Sequence, residues 1–172
     1  MSRKADLVVG NTYKGKGVFA RKSFRKGEDI INFKGKLFTF ETLPTPYDKF
    51  DDHYVQIGDN LYMGPSGDID DYFNHSCNPN SGLAINGTKV RLVAIRDISA
   101  DQEITWDYST TMDEDEWNLT CACESPNCRK QIFDFKYLPK NIQNTYINAN
   151  IVPQYILDNM KASSTVKKRV RQ

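Results

Sequence analysis

Four cysteines constrain this chain more than any other feature of its sequence. Three of them, Cys121, Cys123 and Cys128, form a C-x-C-x4-C cluster, and the fourth, Cys77, stands 44 residues upstream of Cys121. A C-x-C pair has poor disulfide geometry, and the charged start Met1-Ser2-Arg3-Lys4-Ala5-Asp6 has no apolar stretch of secretory type behind it. Free or paired thiols are the alternative, but four thiolates held tetrahedrally around Zn2+ suit the count better. Such a site would clamp the C-terminal part of the chain onto the segment around Cys77. It would leave no ligand position for a water, so its metal is structural and not the catalyst.

The rest of the chain reads as many short strands. At 172 residues, with 39% hydrophobic and 26% charged residues, it suits one globular domain with appendages. Leu7-Val8-Val9 is a short apolar run, and Ile30-Ile31-Asn32-Phe33 is a strand by its β-branched and aromatic content. Lys36 to Phe40 reads as another strand, Pro44 and Pro46 interrupt the chain after it, and Asp48 to Asp52 is a polar loop or short helix. Gly58-Asp59-Asn60 marks one hairpin, and Asn86-Gly87, between Leu83-Ala84-Ile85 and Lys89 to Ile95, marks a second. Glu103 to Tyr108 makes a further strand. Residues 109–120 are acidic and polar and read as a linker, whereas Ile142, Tyr146, Ile147 and Ala149 fall at helical spacing. Pro153 starts a second helix carrying Ile156, Leu157 and Met160 on one side.

Charge and hydropathy exclude some classes of function. No apolar run approaches the roughly 20 residues of a membrane helix, so a soluble chain with no membrane partner is expected. The net charge is +1, so nothing global favours a polyanion. The local exception is Lys167-Lys168-Arg169-Val170-Arg171, a solvated tail or a contact to chromatin through Lys167, Lys168, Arg169 and Arg171. A nucleic-acid finger fits neither the cysteine spacing nor the charge.

The densest stretch is Asp71-Tyr72-Phe73-Asn74-His75-Ser76-Cys77-Asn78-Pro79-Asn80. In order along the chain, Gly15-Lys16-Gly17, Asn74 to Asn80, Glu103-Ile104-Thr105-Trp106-Asp107-Tyr108 and the cysteine cluster resemble the cofactor loop, central motif, catalytic-tyrosine strand and post-SET zinc module of SET-domain protein lysine methyltransferases. The resemblance covers about residues 7–133. The Gly-x-Gly alone is weak, because tight turns use it constantly.

The resemblance implies a β-dominated (α+β) fold, a β-clip of several small sheets with a knot-like crossing that brings Asn74 to Tyr108. It divides the chain into a SET domain (7–108), a linker (109–120), a post-SET zinc module (121–133) and a helical extension with a basic tail (134–172). The implied activity is methyl transfer from S-adenosylmethionine to the ε-amine of a lysine in a protein, a histone or another chromatin or basic protein. Carried over residue by residue, Lys16, Gly17, Asn74, His75 and Tyr108 bind the cofactor. Tyr108 is the catalytic tyrosine, and Cys77, Cys121, Cys123 and Cys128 are the Zn2+ ligands. Ile132 and Phe133 fall where the module closes over adenine and the lysine channel. The expected place is inside the cell, in the cytoplasm or on chromatin, with delivery as a secreted effector left open.

Several positions depart from the family pattern. Trp106 stands where Phe or Tyr is common; without a hydroxyl it leans toward di- or trimethylation, although its bulk could fill the space. Phe33 stands where many members have Tyr, Asp71 where Arg is frequent, and Lys130 where Gly is frequent. His53 has no partner that the sequence names. The alternative function is a catalytically silent SET module, a zinc-stabilised protein-binding domain; intact Gly17, Asn74, His75 and Tyr108 speak against it.

Overall fold

The computed structural model describes residues 4–44, 53–115 and 117–169, with side chains up to residue 163. The segment expected as a loop or short helix at 48–52 lies outside the described residues, as do Arg171 and the side chains of Lys167, Lys168 and Arg169. In chain order the elements are β1 (Leu7–Thr12), β2 (Gly15–Ala20), β3 (Asp29–Phe33), β4 (Leu37–Phe38), β5 (Val55–Gly58), β6 (Leu61–Met63), β7 (Asn74–His75), β8 (Ser81–Asn86), β9 (Lys89–Ala94), β10 (Thr105–Trp106), β11 (Leu119–Thr120), β12 (Gln131–Ile132), α1 (Lys140–Asn148) and α2 (Gln154–Arg169). They make several small sheets: the hairpins β1–β2 and β11–β12, the triplets β3-β9-β8 and β4-β6-β5, and the parallel pair β7–β10.

Alternation explains which faces are buried. In β9, Val90, Leu92 and Ala94 point inward while Lys89 and Arg91 stay exposed, the period of a strand with one wet face. These join Val18, Phe24, Ile30, Leu83 and Ile104 in the main core. A second core lies under the C-terminal helices, where Phe135, Leu138, Tyr146, Ile151 and Ile156 are buried together. Ile151 keys the helices to the strands: a Cβ on Gly82 of β8 would fall 2.6 Å from its Cδ1, so only glycine admits it. Burying an isoleucine of this kind stabilises by about 1.5–3 kcal/mol. Helix α1 ends where Asn150 turns left-handed (φ 55) and the Ile151 amide reaches back to the Tyr146 carbonyl, so α2 can fold back on the same core.

Several details differ from the sequence reading. The strand expected over Lys36 to Phe40 spans Leu37–Phe38, and Phe40 opens a 3-10 turn, Phe40–Thr42. The first hairpin loop narrows to Asp59 and Asn60, because Gly58 pairs with Leu61. The second hairpin turns one residue later, because Asn86 pairs with Lys89 and leaves Gly87 (φ 58) and Thr88 in the loop. The strand expected to run to Tyr108 stops at Trp106: the Asp107 carboxylate accepts from the Ser109 amide at 3.1 Å and starts a 3-10 turn, Tyr108–Thr110. The stretch that its acidity marks as a linker begins with buried residues, Ser109, Thr110, Thr111 and Met112. A 3-10 turn over Ile69–Tyr72, capped by Asp68, precedes the central motif and has no counterpart among the expected elements.

Lys130 is exposed and takes φ 64, a conformation that costs a side chain energy and glycine almost nothing. Lys130→Gly is therefore expected to raise unfolding stability by about 0.5–1 kcal/mol, the relieved strain exceeding the added entropy of the unfolded chain. Urea denaturation of the two proteins checks this.

Candidate active site and metal centre

Two segments far apart in sequence meet side by side. In the parallel pair β7–β10, Asn74 lies opposite Thr105 and His75 opposite Trp106. The pair is short, and side chains extend it: Asn80 accepts from the Thr105 amide at 2.9 Å and donates to the Glu103 carbonyl at 2.8 Å, while Ser81 Oγ donates to the Thr105 carbonyl. Asn80 thus mimics a strand neighbour for 103–105, more than the turn-fixing role its type suggests.

The predicted cofactor residues fall into linked pairs. Asn74 Nδ2 donates to the Lys16 carbonyl at 2.9 Å and to Glu103 Oε1 at 2.8 Å, so the asparagine pins the Gly-x-Gly strand. A Cβ on Gly17 would fall 2.6 Å from Glu103 Oε1 and 2.8 Å from Asn74 Nδ2, which is why glycine is needed there. The Lys14 ammonium donates to the His75 carbonyl at 2.8 Å, and the Lys16 ammonium lies 5.3 Å from the centre of the Tyr72 ring.

His75 joins these groups to Tyr108. Its Nδ1 accepts from the Tyr108 amide at 3.2 Å, which leaves the proton on Nε2, 3.3 Å from Cys77 Sγ. Burial above all, helped by Arg129 and Lys14 and opposed by Asp107, lowers the imidazole to about 4. It is neutral at physiological pH, so its 3.5 Å approach to Asp107 is not an ion pair. The Tyr108 hydroxyl donates to the Phe73 carbonyl at 2.8 Å, and its ring lies 4.7 Å from that of Trp106 and 5.3 Å from that of His75.

Tyr108 also borders a cavity of about 480 Å³, walled by Phe33, Tyr54, Phe73, Trp106 and Trp117. Lys16, Gly17, Asn74 and His75 are not part of that wall; His75 of β7 touches Tyr108, and Asn74 beside it holds the Lys16 carbonyl of β2. Two departures from the family pattern are explained locally. Phe33 stacks on Phe73 with ring centres 5.6 Å apart, and Asp71 accepts from the amides of Ser66 and Gly67, holding the turn before the central motif.

Sequence reasoning missed several neighbours. His53 lines the cavity, as do Met112 and Trp117 from the stretch read as linker; an isolated tryptophan among acids is the one signal the sequence carries for them. Phe133 is exposed, and Ile132 packs against Cys77 and Cys121 instead of facing the cavity. Unforeseen too is the buried carboxylate of Asp107, held by both Arg129 Nη atoms at 2.6 and 2.7 Å.

The four cysteines meet. Their sulfurs all lie within 4.8 Å of one another, with Cys121 Sγ 3.8 Å from that of Cys77 and 3.7 Å from that of Cys128. Zn–S bonds of about 2.3 Å at tetrahedral angles require S–S separations of about 3.8 Å, so this set fits Zn2+. Donors surround the sulfurs: the Arg129 amide and His75 reach Cys77, and the Cys77 amide and Ser125 Oγ reach Cys123. Burial pushes the Cys77 thiol up to about 11, whereas at Cys123 the hydrogen bonds from Ser125 and the Cys77 amide outweigh burial and hold it near 6.

Comparison with known proteins agrees with this geometry. The variant-silencing SET domain-containing protein of Plasmodium falciparum is 32% identical over 140 residues, covering 72% of this chain and 5% of the relative. The histone-lysine N-methyltransferase trithorax of Drosophila virilis is 29% identical over 130 residues, 69% of this chain and 3% of the relative. The chain therefore spans a small fraction of these relatives' length. Among solved structures, KRYPTONITE in complex with mCHG DNA and SAH superposes with a TM-score of 0.61 at 23% identity, covering 74% of this chain and 29% of that one. The methyltransferase domain of human histone-lysine N-methyltransferase SETMAR gives 0.59 at 23% identity, covering 74% and 58%. At that identity the likeness shows the fold. A family model described as SET domain matches residues 15–109, which hold the Gly-x-Gly strand, the β7–β10 pair and Tyr108, and the chain belongs to the SET domain family.

Proposed function

We infer that this chain transfers methyl groups from S-adenosylmethionine to the ε-amine of a lysine in a protein substrate, a histone or another chromatin or basic protein. The observation that carries this reading is the position of Tyr108: its ring borders the aromatic cavity on one side and meets the Asn74–His75 segment through His75 on the other. Relatives named histone-lysine N-methyltransferases support the substrate class. When bound, S-adenosylmethionine supplies a methyl group on a positively charged sulfur. Lys16, Gly17, Asn74, His75 and Tyr108 would hold it.

The remaining work belongs to the protein's own side chains. A lysine amine must lose its proton before it attacks, which costs roughly 4–5 kcal/mol at neutral pH. The aromatic part of the wall, Phe33, Phe73, Trp106 and Trp117, disfavours the ammonium form and lowers that cost, while Asp70, Asp71 and Glu114 in the same lining act in the opposite direction. Because the Tyr108 hydroxyl donates its proton to the Phe73 carbonyl, its oxygen is turned to accept, so it orients the incoming amine and favours positive charge at the transferring methyl. Tyr108 is not a base; alignment carries the rate. Trp106 brings no hydroxyl to the cavity, which favours addition of more than one methyl, while its bulk in the wall acts against it.

We assign Cys77, Cys121, Cys123 and Cys128 to a structural Zn2+ that fixes 121–133 against the central motif. Elemental analysis of the purified chain is expected to give one equivalent of zinc. Chelation should then strip β11–β12 from the core and abolish methyl transfer; a metal-free, fully active chain would contradict the assignment. Transfer of tritiated methyl groups to a panel of lysine-bearing proteins, histones included, tests the activity. Tyr108→Phe should lower the rate by about a hundredfold, on the order of the loss when one preorganised hydrogen-bonding group is removed from an active site. A wild type that labels nothing would favour the silent binding module.

A further inference from the structure

The segment that carries Tyr108 is too short to hold its own shape. It consists of the 3-10 turn Tyr108–Thr110 and its flanks, yet Asp107, Ser109, Thr110 and Thr111 are fully buried. Two tyrosines from the C-terminal helices, both beyond the residues matched to the SET family, grip its two ends. Tyr146 of α1 is buried and donates its hydroxyl to Asp107 Oδ2 at 3.0 Å, on the residue just before Tyr108. Tyr155 of α2 donates its hydroxyl to the Thr111 carbonyl, with the Gln56 carbonyl 3.2 Å away. Neither tyrosine lines the cavity, whereas Thr111 and Met112, at the gripped end, do.

The grip is stiff because the helices are stiff. Gln143 of α1 is buried and its Nε2 donates to the carbonyls of Phe135, Lys136 and Leu138, tying the helix to the chain that enters it. The Phe135 amide in turn donates to the Met112 carbonyl at 3.1 Å. The Asn150 turn and the packing of Ile151 and Ile156 lock α1 to α2. Each tyrosine therefore acts from a rigid body onto the ends of a short turn, which Arg129 also holds at Asp107 and His75 at the Tyr108 amide.

The geometry points to Tyr146 and Tyr155 as positioning residues that hold the Tyr108 turn, and so to helices α1 and α2 as part of the active-site scaffold. Their effect on rate rests on the methyltransferase reading above; their effect on the turn does not. Asp107 keeps Arg129 and the Ser109 amide when the phenol is lost, so Tyr146→Phe leaves the carboxylate paired and the chain folded. What it loosens is the placement of Tyr108, to which aligned transfer is sensitive.

The test uses the full, metal-loaded chain with Tyr146→Phe and Tyr155→Phe, and with Tyr137→Phe as a control on an exposed tyrosine. Each of the first two should lower kcat about tenfold with the cofactor KM within about twofold, a split expected of lost alignment. Amide hydrogen exchange over 105–112 should quicken while the β1–β2 hairpin keeps its protection, and the control should match wild type in both readouts. Wild-type exchange over 105–112 in both variants would overturn the inference, and so would faster exchange throughout the chain, which marks general destabilisation. If the wild type labels no substrate, the methyltransferase reading falls, and exchange over 105–112 alone decides whether the helices brace the turn.

Discussion

The buried carboxylate of Asp107 is the group on which the site depends. A charge at zero exposure is tolerated only if every lone pair finds a donor, and its donors come from three places. Arg129 arrives from the cysteine module, Tyr146 from α1, and the Ser109 amide from the turn itself. Removing a partner from a buried ion pair costs about 3–5 kcal/mol. The module, the helices and the Tyr108 turn therefore cannot take their places independently. The pair gives weak net stability, since desolvation offsets most of the attraction, but it fixes which surfaces must meet.

The cysteine cluster is tied to the same point by a second route. Cys77 belongs to the central motif, and His75, two residues earlier, places Nε2 on its sulfur and Nδ1 on the Tyr108 amide. One neutral ring thus spans from the cysteine cluster to the backbone of the tyrosine. Tyr13, at the tip of the β1–β2 hairpin, donates its hydroxyl to the Ala122 carbonyl and ties the Gly-x-Gly strand to the cysteine module. The module is in this sense a closing piece: it presses on the hairpin and, through Arg129, on the turn.

Much of this is legible in the chain where the signal is local. Gly58-Asp59-Asn60 and Asn86-Gly87 announce their hairpins because tight reversal favours those residues; the first loop narrows to Asp59 and Asn60 and the second shifts by one, with Gly87 at positive φ. Helices α1 and α2 follow from apolar spacing and Pro153. The four cysteines converge as their spacing implies. Hidden are the long-range choices. Asp107 and Arg129 are 22 residues apart, and nothing in two charged residues says that they are buried together. The Asp107 cap overrides the strand-like composition of 103–108, and the acids around Trp117 mask a residue that walls the cavity. Ile132 reads as a lid residue and packs instead on the cysteines.

The central claim is that the Gly-x-Gly strand, the Asn74–His75 segment and the Tyr108 turn converge on one site for S-adenosylmethionine. Calorimetric titration of the metal-loaded chain with S-adenosylhomocysteine tests it most directly, because it needs no substrate. Saturable one-to-one binding that Asn74→Ala destroys and Tyr108→Phe largely preserves is the predicted result. No binding to the wild type, or binding indifferent to Asn74, would contradict it.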